Sequence, residues 1–567
     1  MHKKIDPVVI FILIFVLTLL ACQVAPTPTQ PSEMPALASA TETVEKTEEP
    51  DPSPTSTSEP QVLVYQPNPD LPDSLNRLIE EQSLVQAQGS TNDIAYSFDF
   101  GDSNRVGNWV YALVAPFPTF TDEVSFTWLQ NLWKGEPEDE NQRLLIAEGD
   151  LPALTSILGE PGQRVVTHAK EDLLEKAWTI QNTWAIIPFE EIEPRWKVIA
   201  IDGQSPIHKD FSADQYPLTI PISLNPVIAD DYFSSPAELE DLYFSNLDPG
   251  KITTVMLTGV TALVRATAVG MDQRGILVPG ENLAPVMREA DILHISNEVP
   301  FAKECPPHTL GSYLVFCTPE SYMELLRSVG TDIVELTGDH FQDYGQEAML
   351  YTLGLYAREG WPVYGGGKDI FDARKAVKLE INGNMLAFIG CNAKSPNFAQ
   401  ASETSSGAYH CDMDYMVEAV SQLKEQGYLP IVTFQHEERY FWSPNASMVR
   451  DFTAVAEAGA VIVSGSQSHV PHYTEFYNDT FMHYGLGNLF FDQYGIAENT
   501  DIGFLDQHVF YENRYLGVEL IPIQFIDKVQ ARLMTAQEKS ETLRILFDTI
   551  RMWWKDENNQ PVMPSWK

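Results

Sequence analysis

Between residues 251 and 525, short apolar runs alternate with amphipathic stretches, and this alternation limits the possible folds more than any other feature of the chain. Strand character marks residues 254–257, 292–295, 333–336, 385–389, 430–434, 461–463 and 481–484. Helical spacing of apolar residues fills 282–290, 320–329, 346–359, 415–426 and 447–458. Short apolar strands interleaved with one-sided helices predict a layered α/β domain, because each element has one face that must be buried against the other kind. A further amphipathic helix is predicted over 536–554, within a helical tail of residues 526–567.

The residues that follow the strands carry chemistry. Residues 292–295 lead into Ser296, Asn297 and Glu298, and residues 333–336 into Thr337, Gly338, Asp339 and His340. The run ending at Phe434 leads into Gln435, His436, Glu437 and Glu438. The run ending at Val463 leads to Gly465, Ser466, Gln467, Ser468 and His469, and the last to Gly485, Leu486, Gly487 and Asn488. In open α/β sheets, loops beyond the carboxyl ends of the strands gather in one crevice. Metal-ligand residue types arriving there from separate strands are therefore expected to converge.

This ordered series resembles the CapA family, the poly-γ-glutamate capsule-synthesis proteins related to calcineurin-type metallophosphoesterases. The likeness is carried by Glu298 with Pro300, by Gly338-Asp339-His340 with Asp343 and Gly345, and by His436. It continues through Gly465 to His469 and through Gly485-Leu486-Gly487-Asn488-Leu489-Phe490-Phe491-Asp492. The resemblance implies a metallophosphatase-like domain over roughly 251–525 whose loops hold metal ions that activate water.

This chain departs from the family pattern. The opening strand, which in the family ends in Gly-Asp, ends here in Thr258-Gly259-Val260, and valine has no donor atom. Asp339 stands where the family has the Asn of its Asn-His pair, and Gln467 stands for the first imidazole of a His-x-His. A two-metal clamp needs about four or more ligands per ion, so one divalent ion (Mn, Zn or Mg) is the better expectation. Its ligands would be Glu298, Asp339 and His436, with His469 and the weak oxygen ligand Gln467 nearby. His340 is then the candidate general acid, and Glu298 also helps orient water. Asn297 and Asn488 are candidate substrate-binding amides. The plainer alternatives are a cap or core role for His340 and a loop hydrogen bond for His469 and for His436. His483, inside a strand, reads as structural.

The first sixty residues predict a different kind of function, an address. Lys3 and Lys4 precede an apolar run of roughly 14 residues, shorter than the roughly 20 needed to span a bilayer. The run ends in Leu19-Leu20-Ala21-Cys22, which resembles a lipobox, so residues 1–22 read as a lipoprotein signal peptide with Cys22 as the lipidated residue. Residues 23–60, rich in Pro, Thr, Ser and Glu, read as a disordered tether. The expected location is extracytoplasmic, anchored to a membrane by lipid. An oxidising location makes disulfides plausible for the remaining four cysteines, and proximity favours Cys305–Cys317 and Cys391–Cys411.

Residues 61–225 read as a smaller N-terminal α/β domain, with strands at 109–114, 184–188 and 196–201 and helices at 122–134 and 151–158. It weakly resembles one lobe of a periplasmic solute-binding protein, through the run Val110 to Pro116 and through Ile187-Pro188-Phe189. Residues 226–250 are acidic and turn-rich and read as a joint. The net charge of −43 argues against nucleic-acid binding and requires a local basic patch or a metal ion for any polyanionic substrate. Three functions remain open. The first is a surface-anchored, metallophosphoesterase-like hydrolase acting on an envelope polymer such as poly-γ-glutamate. The second is a non-catalytic polymer-binding or assembly protein with a degenerate metal site. The third is a solute receptor, resting on the N-terminal domain alone.

Overall fold

The computed structural model describes residues 64–82, 85–86, 96–226, 242–311, 313–394 and 399–550. Cys22 and residues 1–60, for which the sequence predicts a signal peptide and a tether, lie outside these residues.

The strand Arg105–Pro116 is buried along nearly its whole length and organises the N-terminal sheet. Thr219–Pro226 and Thr183–Pro188 flank it, both antiparallel. Beyond the latter, Arg143–Ala147 and Val165–His168 add in parallel. The helix Phe126–Lys134 opens with Ser125 accepting from the Trp128 amide and closes on Gly135 in the left-handed region, the start and stop chemistry that fixes such a helix. It begins later than the sequence predicts, because Glu123–Val124 pairs as a short strand with Ala200–Ile201. The predicted joint also differs at its end. Phe244–Ser245 adds to the sheet beside Gly107, and the Asn246 side chain bonds both the amide and the carbonyl of Val110, at 2.8 and 2.9 Å.

The C-terminal half is four layers, with two sheets face to face and helices outside each. One sheet runs Val363–Tyr364, Ile333–Glu335, Ile292–Asn297, Ile252–Thr258, Ile502–Tyr511, Arg514–Phe525 and Ala531–Leu533. Its first four strands are parallel neighbours and the remainder antiparallel. The second sheet runs Val377–Ile381, Asn384–Asn392, Leu429–Gln435, Ile462–Ser466, Thr480–His483 and Thr474–Tyr477. The alternation of strand side chains assigns the layers. Val255 and Leu257 face one core, while Met256 between them joins Met271, Leu325, Met349 and Tyr356 under the outer helices. On the second sheet, Phe434 stacks on Phe452 of the helix Ala446–Ala458. Polar ties cross between the sheets, including Thr433 to Tyr364 at 3.1 Å and His483 to Asp506 at 2.6 Å. His483 is thus structural, as its place in a strand predicts.

The layered α/β fold is therefore present. The predicted helix over 282–290 shrinks to Ala284–Met287, with Pro285 in its first turn, where the missing N–H is tolerated. The final segment is not wholly helical, because Ala531–Leu533 completes the first sheet before the helix Ala536–Ile550. The N-terminal sheet and this layered half are firmly joined. Arg514 bonds the Glu190 carbonyl at 2.9 Å, His208 meets Glu519 at 3.0 Å, and Phe189 packs edge-on against Tyr511.

Candidate functional site

Parallel strands from both sheets end on one side of the sandwich, and their following residues meet there. Glu298 follows Ile292–Asn297 and is held by its amide on the Thr261 carbonyl at 3.0 Å. Gly338 lets the next loop approach, since a Cβ at that position would lie 2.6 Å from the Glu298 Cα. That close approach brings Glu298, Asp339 and His340 together, with one donor atom of each within 4.8 Å of the others.

The second sheet contributes Lys394, which follows Asn384–Asn392. Its ammonium lies 2.6 Å from Asp339 Oδ2. The strand Leu429–Gln435 contributes Gln435, whose amide nitrogen donates to Asp339 Oδ1 at 3.2 Å and also to the Gln467 side-chain oxygen. Asn392 closes the network, donating to Gln435 Oε1 and to the Thr337 carbonyl, each at 2.6 Å. His340 Nδ1 is paired with Asp343 Oδ2 at 2.7 Å, and the Phe316 ring lies 4.6 Å from the imidazole. Its Nε2 faces Glu298 Oε1 at 3.7 Å. His469 is held by Asn488, with Nδ1 to Oδ1 at 2.8 Å, and its Nε2 points toward Glu438 at 3.6 Å. At the rim, the Arg265 guanidinium reaches Asp492 Oδ1 through Nε and Nη2, at 2.9 and 2.5 Å, beneath the rings of Phe491 and Phe316. Arg265 and Gln467 both adopt left-handed backbone, φ +47° and +70°, conformations that side-chain-bearing residues hold only where the surroundings impose them.

The charges are strongly coupled. Burial, reinforced by the neighbouring Asp339 carboxylate, raises Glu298 well above the usual carboxylate range. Burial also acts against Asp339, but Lys394 and His340 outweigh it and hold that carboxyl below its ordinary value. For His340, burial opposes the imidazolium, whereas the Asp343 hydrogen bond and the fields of Glu298 and Asp339 prevail and raise it to about 9. The pair Glu298 and Asp339 thus holds one proton and one negative charge near neutrality.

The structure separates the residues singled out from the sequence. Glu298, Asp339, His340, Gln467 and His469 belong to one crevice. His436 does not join them, because alternation along its strand turns it to the opposite face, where Nε2 meets Asp451 Oδ2 at 3.0 Å. Gln435, one residue earlier, takes the place expected of it. Asn297 is no free amide either, since its nitrogen is used on the Val299 carbonyl and the Tyr356 hydroxyl at 2.7 and 2.8 Å. Asn488 acts on His469 rather than facing open space. Lys394 and Arg265, which no motif marked, stand in the centre and at the rim. Both expected disulfides are present, Cys305–Cys317 and Cys391–Cys411.

An acidic and imidazole cluster suited to a cation therefore exists, but the residues present do not fit a two-ion clamp. Val260 sits in an apolar cluster with Val299, Phe316 and Phe491. Gln467 spends its oxygen on Gln435, and both oxygens of Asp339 have partners. Glu298 Oε2 alone is buried without a hydrogen-bond partner in this group.

Residues 255–493 match the family described as bacterial capsule synthesis protein PGA_cap. Over 291 residues the chain is 24% identical to the PGA biosynthesis protein CapA of Bacillus subtilis (strain 168), covering 51% of this chain and 76% of that protein. It is 23% identical over 250 residues to the capsule biosynthesis protein CapA of Bacillus anthracis, covering 43% of this chain and 60% of the relative. Among solved structures, the NAD nucleotidase of Haemophilus influenzae aligns over 52% of this chain and 56% of its own, at 10% identity and a TM-score of 0.28. An ABC-type phosphate transport receptor from Vibrio cholerae aligns over 30% of this chain and 88% of its own, at 13% identity and a TM-score of 0.23. Structural likenesses this loose carry no argument about function.

Proposed function

The chain belongs to the CapA family through residues 255–493, and from that premise we propose that it handles an anionic envelope or capsule polymer such as poly-γ-glutamate. The observation that carries this reading is the convergence of His340, Lys394 and Arg265 on one crevice of a chain whose net charge is −43. A polyanion approaching so acidic a protein needs a local set of cations. Each of these three is oriented by a carboxylate and keeps donors for a ligand carboxylate or amide. Binding and presentation of the polymer is favoured over metal-assisted hydrolysis, since the ligands a hydrolytic clamp needs are replaced by Val260, Gln435 and Gln467. The receptor alternative draws nothing specific from the N-terminal sheet.

The same proposal places the protein outside the cytoplasm, tethered through Cys22. Its supports are the basic-apolar-Cys pattern of residues 1–22, the Pro/Thr-rich segment behind it, and two disulfides of the kind oxidising compartments sustain. Fractionation of cells carrying Cys22→Ser tests the tether, and protein remaining in the membrane fraction would refute it. Titration of fluorescent poly-γ-glutamate into detergent-solubilised full-length protein at low salt tests the polymer. Saturable binding that weakens about tenfold in Lys394→Ala is expected, a change of roughly 1.4 kcal/mol; absence of binding to the wild type would sink the reading.

A further inference from the structure

The resemblance to metallophosphoesterases implies a metal ion at this centre, and the residues of this chain offer something else in that place. We infer that the centre operates without a divalent ion, the ammonium of Lys394 serving as its resident cation. The inference rests on the placement of the crevice and not on which polymer enters it.

Four independent observations lead here. Lys394 Nζ contacts Asp339 Oδ2 at 2.6 Å with its side chain mostly buried, so the carboxylate that an ion would bridge is already neutralised. Asp339 Oδ1 accepts from Gln435, and Gln435 in turn donates to Gln467. Two amides bonded to each other form a closed polar surface where a metal centre needs lone pairs aimed inward. Val260 is packed among apolar side chains, so the first-strand position offers no donor. His436, expected from the sequence as a ligand, is engaged with Asp451 behind the strand. His469, held by Asn488 and turned toward Glu438, stands outside the cluster whose donor atoms lie within 4.8 Å of one another. What is left for a divalent ion is Glu298 Oε2 and His340 Nε2, and two ligands fall below the four that even a small hard or borderline ion takes.

Lys394 is placed by design of the local chain rather than by a flexible reach. Its amide donates to the Asn392 side-chain oxygen at 2.9 Å, a turn that redirects the chain just past the strand end. The strand end is itself fastened. Asn392 accepts from Cys411 and donates to Tyr409, and the Cys391–Cys411 disulfide joins the same two segments. A single ammonium carries less charge than a divalent ion and cannot polarise a water as strongly. It can, however, orient a carboxylate and donate hydrogen bonds to a bound carbonyl or carboxylate, which suits recognition of an anionic chain.

Elemental analysis of full-length protein purified in detergent, together with thermal unfolding with and without EDTA, tests the inference. Expected is a metal content far below one equivalent and an unfolding midpoint that EDTA, Mn2+ and Zn2+ leave unchanged. The combined substitution Lys394→Ala, Gln435→His, Gln467→His and Val260→Asp should gain a midpoint increase on adding Mn2+ or Zn2+ that the wild type lacks. Wild-type protein holding close to one equivalent of metal, with a midpoint lowered by EDTA, would overturn it whether or not the combined variant folds. Polymer titration in EDTA is scored separately: failure to bind poly-γ-glutamate in every buffer would remove the polymer and leave the metal-free centre standing, whereas binding that requires added metal would remove the metal-free centre.

Discussion

Gln435 and His436 are adjacent in the chain and lie on opposite faces of the same strand, one bonded to Asp339 in the crevice and the other to Asp451 on the covering helix. The two positions should therefore separate stability from binding. His436→Ala leaves the buried Asp451 carboxylate without its imidazole partner and is expected to cost about 1–3 kcal/mol, read as a lower urea midpoint, while polymer affinity is retained. Gln435→Ala opens the amide network around Asp339 and is expected to weaken polymer binding. Loss of binding in His436→Ala at unchanged stability would mean that the histidine, not the glutamine, faces the crevice.

This pair also shows what sequence can and cannot convey. The periodicity that marked 430–434 as a strand was sound, and the rule that chemistry gathers past strand ends correctly brought Glu298, Asp339, His340, Gln467 and His469 together. Parity was the missing step. Phe434 faces the helix, so His436 must as well and Gln435 must face the crevice, a deduction that needs to know which face of the sheet the helix covers. Lys394 follows the strand Asn384–Asn392, whose trailing residues carry no recognised motif, and a lysine in a loop ordinarily reads as solvated. The disulfides were legible because short loops between cysteines are the cheapest to close. The long antiparallel pair Ile502–Tyr511 and Arg514–Phe525 went unread, since strands buried on both faces in that region lack a clean alternation.

Each disulfide braces one flank of the crevice. Cys317 follows Phe316, whose amide donates to Asp343 Oδ2 at 2.8 Å and whose ring packs on His340. Cys391 precedes Asn392, which turns the chain toward Lys394. Replacing Cys391 and Cys411 by serine opens a loop of sequence separation 20 and is expected to cost roughly 3 kcal/mol. Unfolding curves with and without reductant provide the check: reductant should lower the wild-type midpoint and have a smaller effect on the double variant.

The N-terminal sheet carries a pH dependence of its own. Asp150 is buried and accepts from the Tyr111 hydroxyl at 2.9 Å. Burial pushes it to about 7; Glu190 and Glu191 add to the rise, and Tyr111 and Lys170 oppose it. A carboxyl raised in the folded state stabilises fully below its unfolded value, near 4. That contribution is lost as pH climbs through about 7, as the folded state is forced to give up a proton it holds more tightly. Stability should thus decline between pH 4 and 7 by on the order of 3–4 kcal/mol from this group alone. Asp150→Asn should flatten that part of the stability curve. An unchanged slope in the variant would show that Asp150 ionises normally.

Arg265 offers the sharpest test of the rim. Its guanidinium forks onto Asp492 while lying 4.9 Å from the centre of the Phe491 ring and 5.4 Å from that of Phe316. Lysine keeps the charge but has neither the planar fork nor the stacking face. Asp492 would still accept the Ala266 amide at 2.9 Å, so Arg265→Lys should fold, losing about 1 kcal/mol of stability from the lost ring contacts. Polymer affinity should fall about tenfold, equivalent to roughly 1.4 kcal/mol. Arg274→Lys, at an exposed pair with Asp527, is the matched control and should change neither quantity, because exposed ion pairs contribute little. If Arg265→Lys binds the polymer as tightly as Arg274→Lys and the wild type do, the polymer is responding to charge alone and the Arg265 fork has no special place at the crevice.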